Sequence, residues 1–174
     1  MTAHIASGTI RRARPEDVPQ ILAMVRELAE YERAADHAIA TEDDLQRALF
    51  CANPAVFAHV VEIRDPEDAS RNLAGFAIWF LNFSTWLGQH GLYLEDLYVR
   101  PEFRGSGFGD SLLSTLAKEC IDNDYGRFEW WVLDWNTPAL DFYRARGAVA
   151  MDEWTVQRVS GPALAELAAR ASHT

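Results

Sequence analysis

The chain of 174 residues has only two cysteines, Cys51 and Cys120, too few for a disulfide framework, and no His/Cys cluster carries zinc spacing. No metal is expected, and a reducing, cytoplasmic setting is the default reading. Long apolar runs are also missing. No stretch approaches the ~18 apolar residues of a membrane span, and residues 1–8 lack the basic-then-apolar order of an export signal, so this leader predicts neither export nor insertion. Positive charge is in deficit: Lys and Arg number 16 against 26 Asp and Glu, a formal net charge of -10, which repels nucleic-acid phosphates and anionic membranes. That sign suits a cationic small molecule, or serves solubility alone. What remains is 49% hydrophobic and 24% charged, enough for a real core in a single domain.

Residues 9–13 read as a strand closed by Pro15. Ile21, Leu22, Val25, Leu28 and Ala29 then recur at helical spacing over 16–31, with Arg26, Glu27 and Glu30 on the other side. Thr41 followed by Glu42, Asp43 and Asp44 is an N-cap signal for a second helix through Leu49. Strands are expected at 57–63, 73–83, 92–99 and 127–133, with a polar hairpin loop at 64–70. Helices are expected at 107–123, 137–146 and 162–171, and a last strand at 154–159. This order predicts an antiparallel half joined to a strand-helix-strand-helix half, with the strands at 92–99 and 127–133 parallel.

Between the fourth strand and its helix stand Arg104, Gly105, Ser106, Gly107, Phe108 and Gly109. Three glycines there bring bare backbone N–H groups to a helix N-terminus, a cradle for phosphate. No Lys-Ser/Thr pair follows, as a phosphate-loop NTPase requires, and the preceding strand is not the first of a dinucleotide-binding unit. The longer run from Leu97, Tyr98 and Val99 to Gly109 resembles the acetyl-coenzyme A signature of the GNAT N-acetyltransferase superfamily. Asn136, Ala139, Phe142, Tyr143 and Gly147 are similar to a second segment of that superfamily, Asn-x-x-Ala-x-x-Phe-Tyr-x-x-x-Gly. Glu27-Leu28-Ala29-Glu30-Tyr31-Glu32, Tyr93-Leu94-Glu95-Asp96-Leu97-Tyr98-Val99 and Val132-Leu133-Asp134-Trp135-Asn136 narrow the resemblance to the spermidine/spermine and thialysine acetyltransferases. Polyamine-acetylating members carry an Asp two residues before the tryptophan of Phe83-Ser84-Thr85-Trp86; Ser84 stands there, which resembles the thialysine type.

The resemblance implies an α/β (α+β) fold: a mixed, mostly antiparallel sheet of about seven strands with a central splayed parallel pair, flanked by helices. It implies acetyl-coenzyme A as cosubstrate, held by Leu97, Tyr98, Val99, the run Arg104 to Gly109, Asp110, Asn136, Ala139 and Arg146. It implies a small cationic amine as the other substrate, lined by Tyr31, Glu32, Glu95, Glu129, Trp130 and Trp131, and a homodimer. Acids and aromatics at those positions suit an ammonium through charge pairing and cation–π contact.

A primary amine of pKa ~10.4 is protonated at pH 7, so exposing its lone pair costs about 4 to 5 kcal/mol and calls for a base. The resemblance assigns that base to Glu95, and to Tyr143 the acid that protonates the leaving sulfur. Strand alternation predicts that Glu95 and Asp96 point to opposite faces, and likewise Trp130 and Trp131. Alternative readings are acetylation of a protein N-terminus or lysine, and a non-catalytic coenzyme A sensor or interaction module.

Overall fold

A computed structural model describes residues 7–63 and 72–171, and its backbone divides into two compact units, Met1–Trp131 and Val132–Thr174. In the first unit five strands lie in the order β1-β2-β3-β4-β5. They are β1 (Gly8–Arg12), β2 (Val56–Ile63), β3 (Asn72–Ser84), β4 (Gln89–Val99) and β5 (Phe128–Trp130). β1 to β4 are antiparallel neighbours and β5 runs parallel to β4. Helices α1 (Val18–Tyr31) and α2 (Glu42–Phe50) connect β1 to β2, and α3 (Phe108–Asp122) connects β4 to β5. Both expected halves are therefore present. The hairpin loop expected at 64–70 lies outside the described residues.

Side-chain parity divides the sheet into two faces. Ala58, Val60, Phe76, Ile78 and Tyr98 bury one face against Ile21 and Met24 of α1 and Leu49 of α2. The opposite face carries Val61, Ala77, Trp79, Leu92 and Leu94 beneath α3, whose Phe108, Leu112, Leu116 and Cys120 repeat every fourth residue and are all buried. Local chemistry sets the helix ends. Thr41 caps α2 by accepting from the Asp44 N–H at 3.2 Å while the Asp44 carboxylate accepts from the Thr41 N–H at 3.0 Å. Pro19 occupies the first turn of α1, where a missing N–H costs nothing.

Two polar clusters tie the layers together. Under α3, the buried His59 ring accepts from Trp79 Nε1 at 3.2 Å through Nδ1, and burial, helped by Arg12, pushes its pKa down to about 4. Arg12 stacks over the Trp79 ring at 4.9 Å and pairs with Glu119 of α3 at 2.8 Å. Beside α1, Arg11 holds Asp17 at 2.6 Å and Glu62 at 3.1 Å, all three largely shielded from solvent. Burial alone would raise the Asp17 carboxyl, but the Arg11 guanidinium and the Arg14 N–H outweigh it and keep it below the usual aspartate range.

The sheet departs from expectation at its far edge. Among the described residues it has five strands, not seven, and β5 covers only three of the seven residues expected. Residues 154–159 form no strand: Trp154 and Val156 are exposed, and no ladder joins this segment to another strand among the described residues. Alternating β-formers become a strand only where a neighbouring edge accepts their N–H and C=O groups. The second unit instead holds α4 (Thr137–Arg144) and α5 (Gly161–Ala168). Among the described residues no helix is long and apolar enough to cross a membrane.

Arg11→Ala removes the guanidinium that pairs with the buried Asp17 carboxylate and should lower the unfolding free energy by about 3 kcal/mol in urea titrations at pH 7. Because the folded pKa of Asp17 is depressed, its contribution is present above the unfolded value of 3.8 and is lost as pH falls through the folded one. The deficit of the variant should therefore shrink toward acid; an unchanged urea midpoint at neutral pH would contradict the network's role.

Candidate active site

The β3–β4 ladder contains one extra residue. Trp79 sits opposite Leu94 and Ile78 opposite Asp96, leaving Glu95 without a partner. Leu94 shares the α3 face with Trp79, and Asp96 shares the α1 face with Ile78. Glu95, adjacent to Leu94, turns to the α1 face as well. The bulge thus overturns the alternation expected of these two acids and sets both carboxyls on one side of the sheet. Glu32, immediately after α1, joins them. Burial first, then the charges of Glu95 and Glu32, pushes the Asp96 carboxyl up to about 6, and burial also raises Glu32. No cation of the described residues pairs with Glu32, Glu95 or Asp96, and no group of three or more His, Cys, Asp or Glu there could hold a metal ion. A recess of mutually repelling carboxyls binds protons or an external cation.

Next to these acids lies an aromatic wall on the same face. Phe80 packs on Tyr93 at 4.9 Å between ring centroids, and Trp131 meets Tyr93 edge-on at 5.7 Å. Parallel pairing places Glu129 level with Tyr93, so Glu129 shares this face, whereas Phe128 and Trp130 meet edge-on on the α3 side. Of the two adjacent tryptophans, Trp131 is therefore the one beside the acids. Glu129 is already engaged: Asn82 donates to it at 2.8 Å and Arg127 pairs with it at 2.9 Å. The Ser84 hydroxyl accepts from the Leu87 N–H at 3.2 Å and closes the β3–β4 turn.

Arg104, expected to grip phosphate, turns its guanidinium between the Tyr31 and Tyr98 rings at 5.5 and 5.6 Å and donates to the Val99 carbonyl at 3.0 Å. With Glu27, Glu30, Arg100 and Glu102 it lines a groove of about 520 Å³. The glycine run behind it is open. Gly105 and Gly107 have φ of +79° and +83°, and nothing lies within 4 Å of where a Cβ would stand. Glycine is required there by the handedness of the turn, and the mouth of α3 stays clear. Gly107 starts the helix without a side-chain cap, and Ser111 N begins the ladder to Gly107 O. A phosphate fits this mouth. Leu97, Tyr98 and Val99 continue β4 past Leu94, where pairing with β5 stops; the parallel pair, expected at the centre of the sheet, lies at its edge among the described residues.

The remaining expected residues belong to the second unit. Asn136 is buried and caps α4, accepting from the Ala139 N–H at 3.4 Å. Tyr143 lies edge-on to Phe142 at 5.2 Å, and Arg146 donates to the Phe142 carbonyl at 2.8 Å with its guanidinium over that ring. Gly147, with φ of +86°, ends the helix. Sequence reasoning missed Phe80, Asn82, Tyr93 and Arg127 as parts of the acidic face, because only strand register assembles them. It also set Asp96 aside, for want of the bulge.

The mixed sheet with its parallel β4–β5 pair and the open, glycine-rich start of α3 are the parts of an acyl-transferring fold. The chain belongs to the Acetyltransferase (GNAT) family, whose model matches residues 21–148. It is 37% identical over 171 residues to a thialysine N-epsilon-acetyltransferase of Sus scrofa, spanning 95% of this chain and 100% of that one. It is 32% identical to an L-ornithine N5-acetyltransferase of Arabidopsis thaliana, spanning 94% and 89%. Among solved structures, an integron cassette protein from the mobile metagenome of V. cholerae superposes with a TM-score of 0.75 at 28% identity, covering 93% of this chain and 98% of that one. The protein is an acetyltransferase, and its family uses acetyl-coenzyme A.

The acidic recess has a thermodynamic signature. Asp96 has a folded pKa above its unfolded value, so the folded state holds an extra proton between about pH 4 and 6 and loses stability as pH rises through that window. Asp96→Asn should therefore stabilise the protein by about 2 kcal/mol at pH 8 and hardly at all at pH 4, measured by urea unfolding. An equal effect at both pH values would mean that the carboxyl is not under this strain.

Proposed function

We propose that the chain is an acetyl-coenzyme A-dependent N-acetyltransferase that acetylates the primary amine of a small diamine or amino acid. The observation that carries this is the bulge that gathers Glu95, Asp96 and Glu32 on one face without a balancing cation. An ammonium group balances them, and a carboxylate beside it takes the proton that must leave before nitrogen attacks. The relatives named for thialysine and ornithine support an amine of this size.

Acetyl-coenzyme A would supply the acetyl group as a thioester, with its pyrophosphate at the N–H groups after Gly107. Glu95 accepts the proton that the amine must lose as nitrogen attacks, a deprotonation that costs about 4 to 5 kcal/mol at pH 7. Backbone N–H groups of residues 97–99, on the edge that β5 leaves, meet the carbonyl oxygen as negative charge grows there. Tyr143 donates its phenolic proton to the departing sulfur; its assignment rests on the run from Asn136 to Gly147. Trp131, Tyr93 and Phe80 form an apolar wall for the methylene chain of the amine.

Incubation with acetyl-coenzyme A and a panel of thialysine, lysine, ornithine and spermidine should release free thiol with at least one of them. Silence with every amine would overturn the proposal. Tyr143→Phe should lower kcat by about 10² to 10⁴ with the affinity for acetyl-coenzyme A unchanged. Unaltered turnover would remove Tyr143 from the mechanism.

A further inference from the structure

The acidic face has a second end, built differently from the first. Arg127 lies over Gly91, where a Cβ would stand 2.6 Å from Arg127 Cγ and 2.4 Å from Asn82 Oδ1, so glycine supplies the floor on which the arginine rests. Arg127 Nε pairs with Glu129 Oε2 at 2.9 Å and reaches Asn82 Oδ1 at 3.4 Å, while its Nη2 reaches the Phe83 carbonyl at 3.4 Å. Asn82 Nδ2 donates to the same Glu129 Oε2 at 2.8 Å. Every one of these bonds uses Nε, Nη2 or Oε2. Arg127 Nη1 and Glu129 Oε1 are left as an unused donor and an unused acceptor on two side chains that are 35% and 38% exposed.

A positive donor beside a negative acceptor complements a zwitterion, in which a carboxylate and an ammonium sit on one carbon. The spacing fits as well. Glu129 is level with Tyr93, two residues or about 7 Å along β4 from Glu95 and one strand spacing of about 4.8 Å across, which matches the four-carbon stem of a lysine-like amine. We propose that Arg127 and Glu129, steadied by Asn82 over Gly91, bind the α-carboxylate and α-ammonium of an amino acid whose terminal amine lies against Glu32, Glu95 and Asp96. The same arginine disfavours polyamines, which would bring a second ammonium to a site already holding a cation. This rests on the small-amine reading above and adds to it the substrate class and the residues that select it.

The test compares, on the unmodified protein, L-lysine with 1,5-diaminopentane, the same molecule without its carboxylate. Lysine should have a KM lower by about tenfold at similar kcat, the size of one charge-assisted contact. Arg127→Gln should raise the KM for lysine by about tenfold without changing kcat, leave 1,5-diaminopentane within about twofold, and lower the KM for spermidine. Equal KM values for lysine and the diamine on the unmodified protein overturn the inference, whether or not the variant folds. So does a variant that weakens both substrates alike. If amines are turned over and these contrasts fail, only the inference falls; if no amine is turned over, the small-amine reading falls first and takes the inference with it.

Discussion

One inserted residue governs the acidic face. Had β3 and β4 kept perfect register, Glu95 and Asp96 would stand on opposite faces, one of them beneath α3 among Trp79, Leu92 and Leu94. There a carboxylate would meet apolar side chains and no partner. The bulge moves the odd residue to the α1 side and concentrates two charges where α1 has just ended and Glu32 adds a third. The elevated Asp96 pKa is the electrostatic consequence. Such repulsion is relieved by a proton or by an external cation.

The net charge of -10 therefore divides into acids with different work. Asp17 and Glu62 are buried and matched by Arg11, and Glu119 is matched by Arg12; these fasten β1 to its neighbours and to α3. Glu27 is matched by Arg100 at 3.1 Å, which anchors the end of β4 to α1. Among the described residues, Glu32, Glu95 and Asp96 converge with no cation paired to them. What marks the site is the absence of pairing, and total acidity says nothing about it.

Features encoded within a few neighbouring residues were legible beforehand. Apolar spacing located α1, Thr41 and Asp44 marked the start of α2, and the glycines after Arg104 announced the open mouth of α3. Features that need a partner strand were not. The bulge depends on how β3 meets β4, and nothing in Glu95-Asp96 reveals it. Asn82 stands on β3, whereas Arg127 and Glu129 come from β5 and the residue just before it, and they meet only through register. Residues 154–159 show the converse failure: a strand-like sequence without an edge to join stays irregular.

Glycine acts in two physically distinct ways in this chain. At Gly105 and Gly107 the backbone is left-handed and the space around it is empty, so the residue is fixed by conformation and leaves a mouth for a ligand. At Gly91 the backbone is ordinary and the space is full, occupied by Arg127 and Asn82; at Gly75 a Cβ would stand 2.6 Å from the Tyr98 carbonyl, so β3 and β4 close tightly there. Crowding at Gly91 neutralises Glu129 by laying a cation across it. Among the described residues no comparable cation reaches Asp96, five residues further along the same strand. The face thus runs from an uncompensated acidic end to a zwitterionic one, and a molecule with a single ammonium at one tip and paired opposite charges at the other fits that gradient in one orientation only.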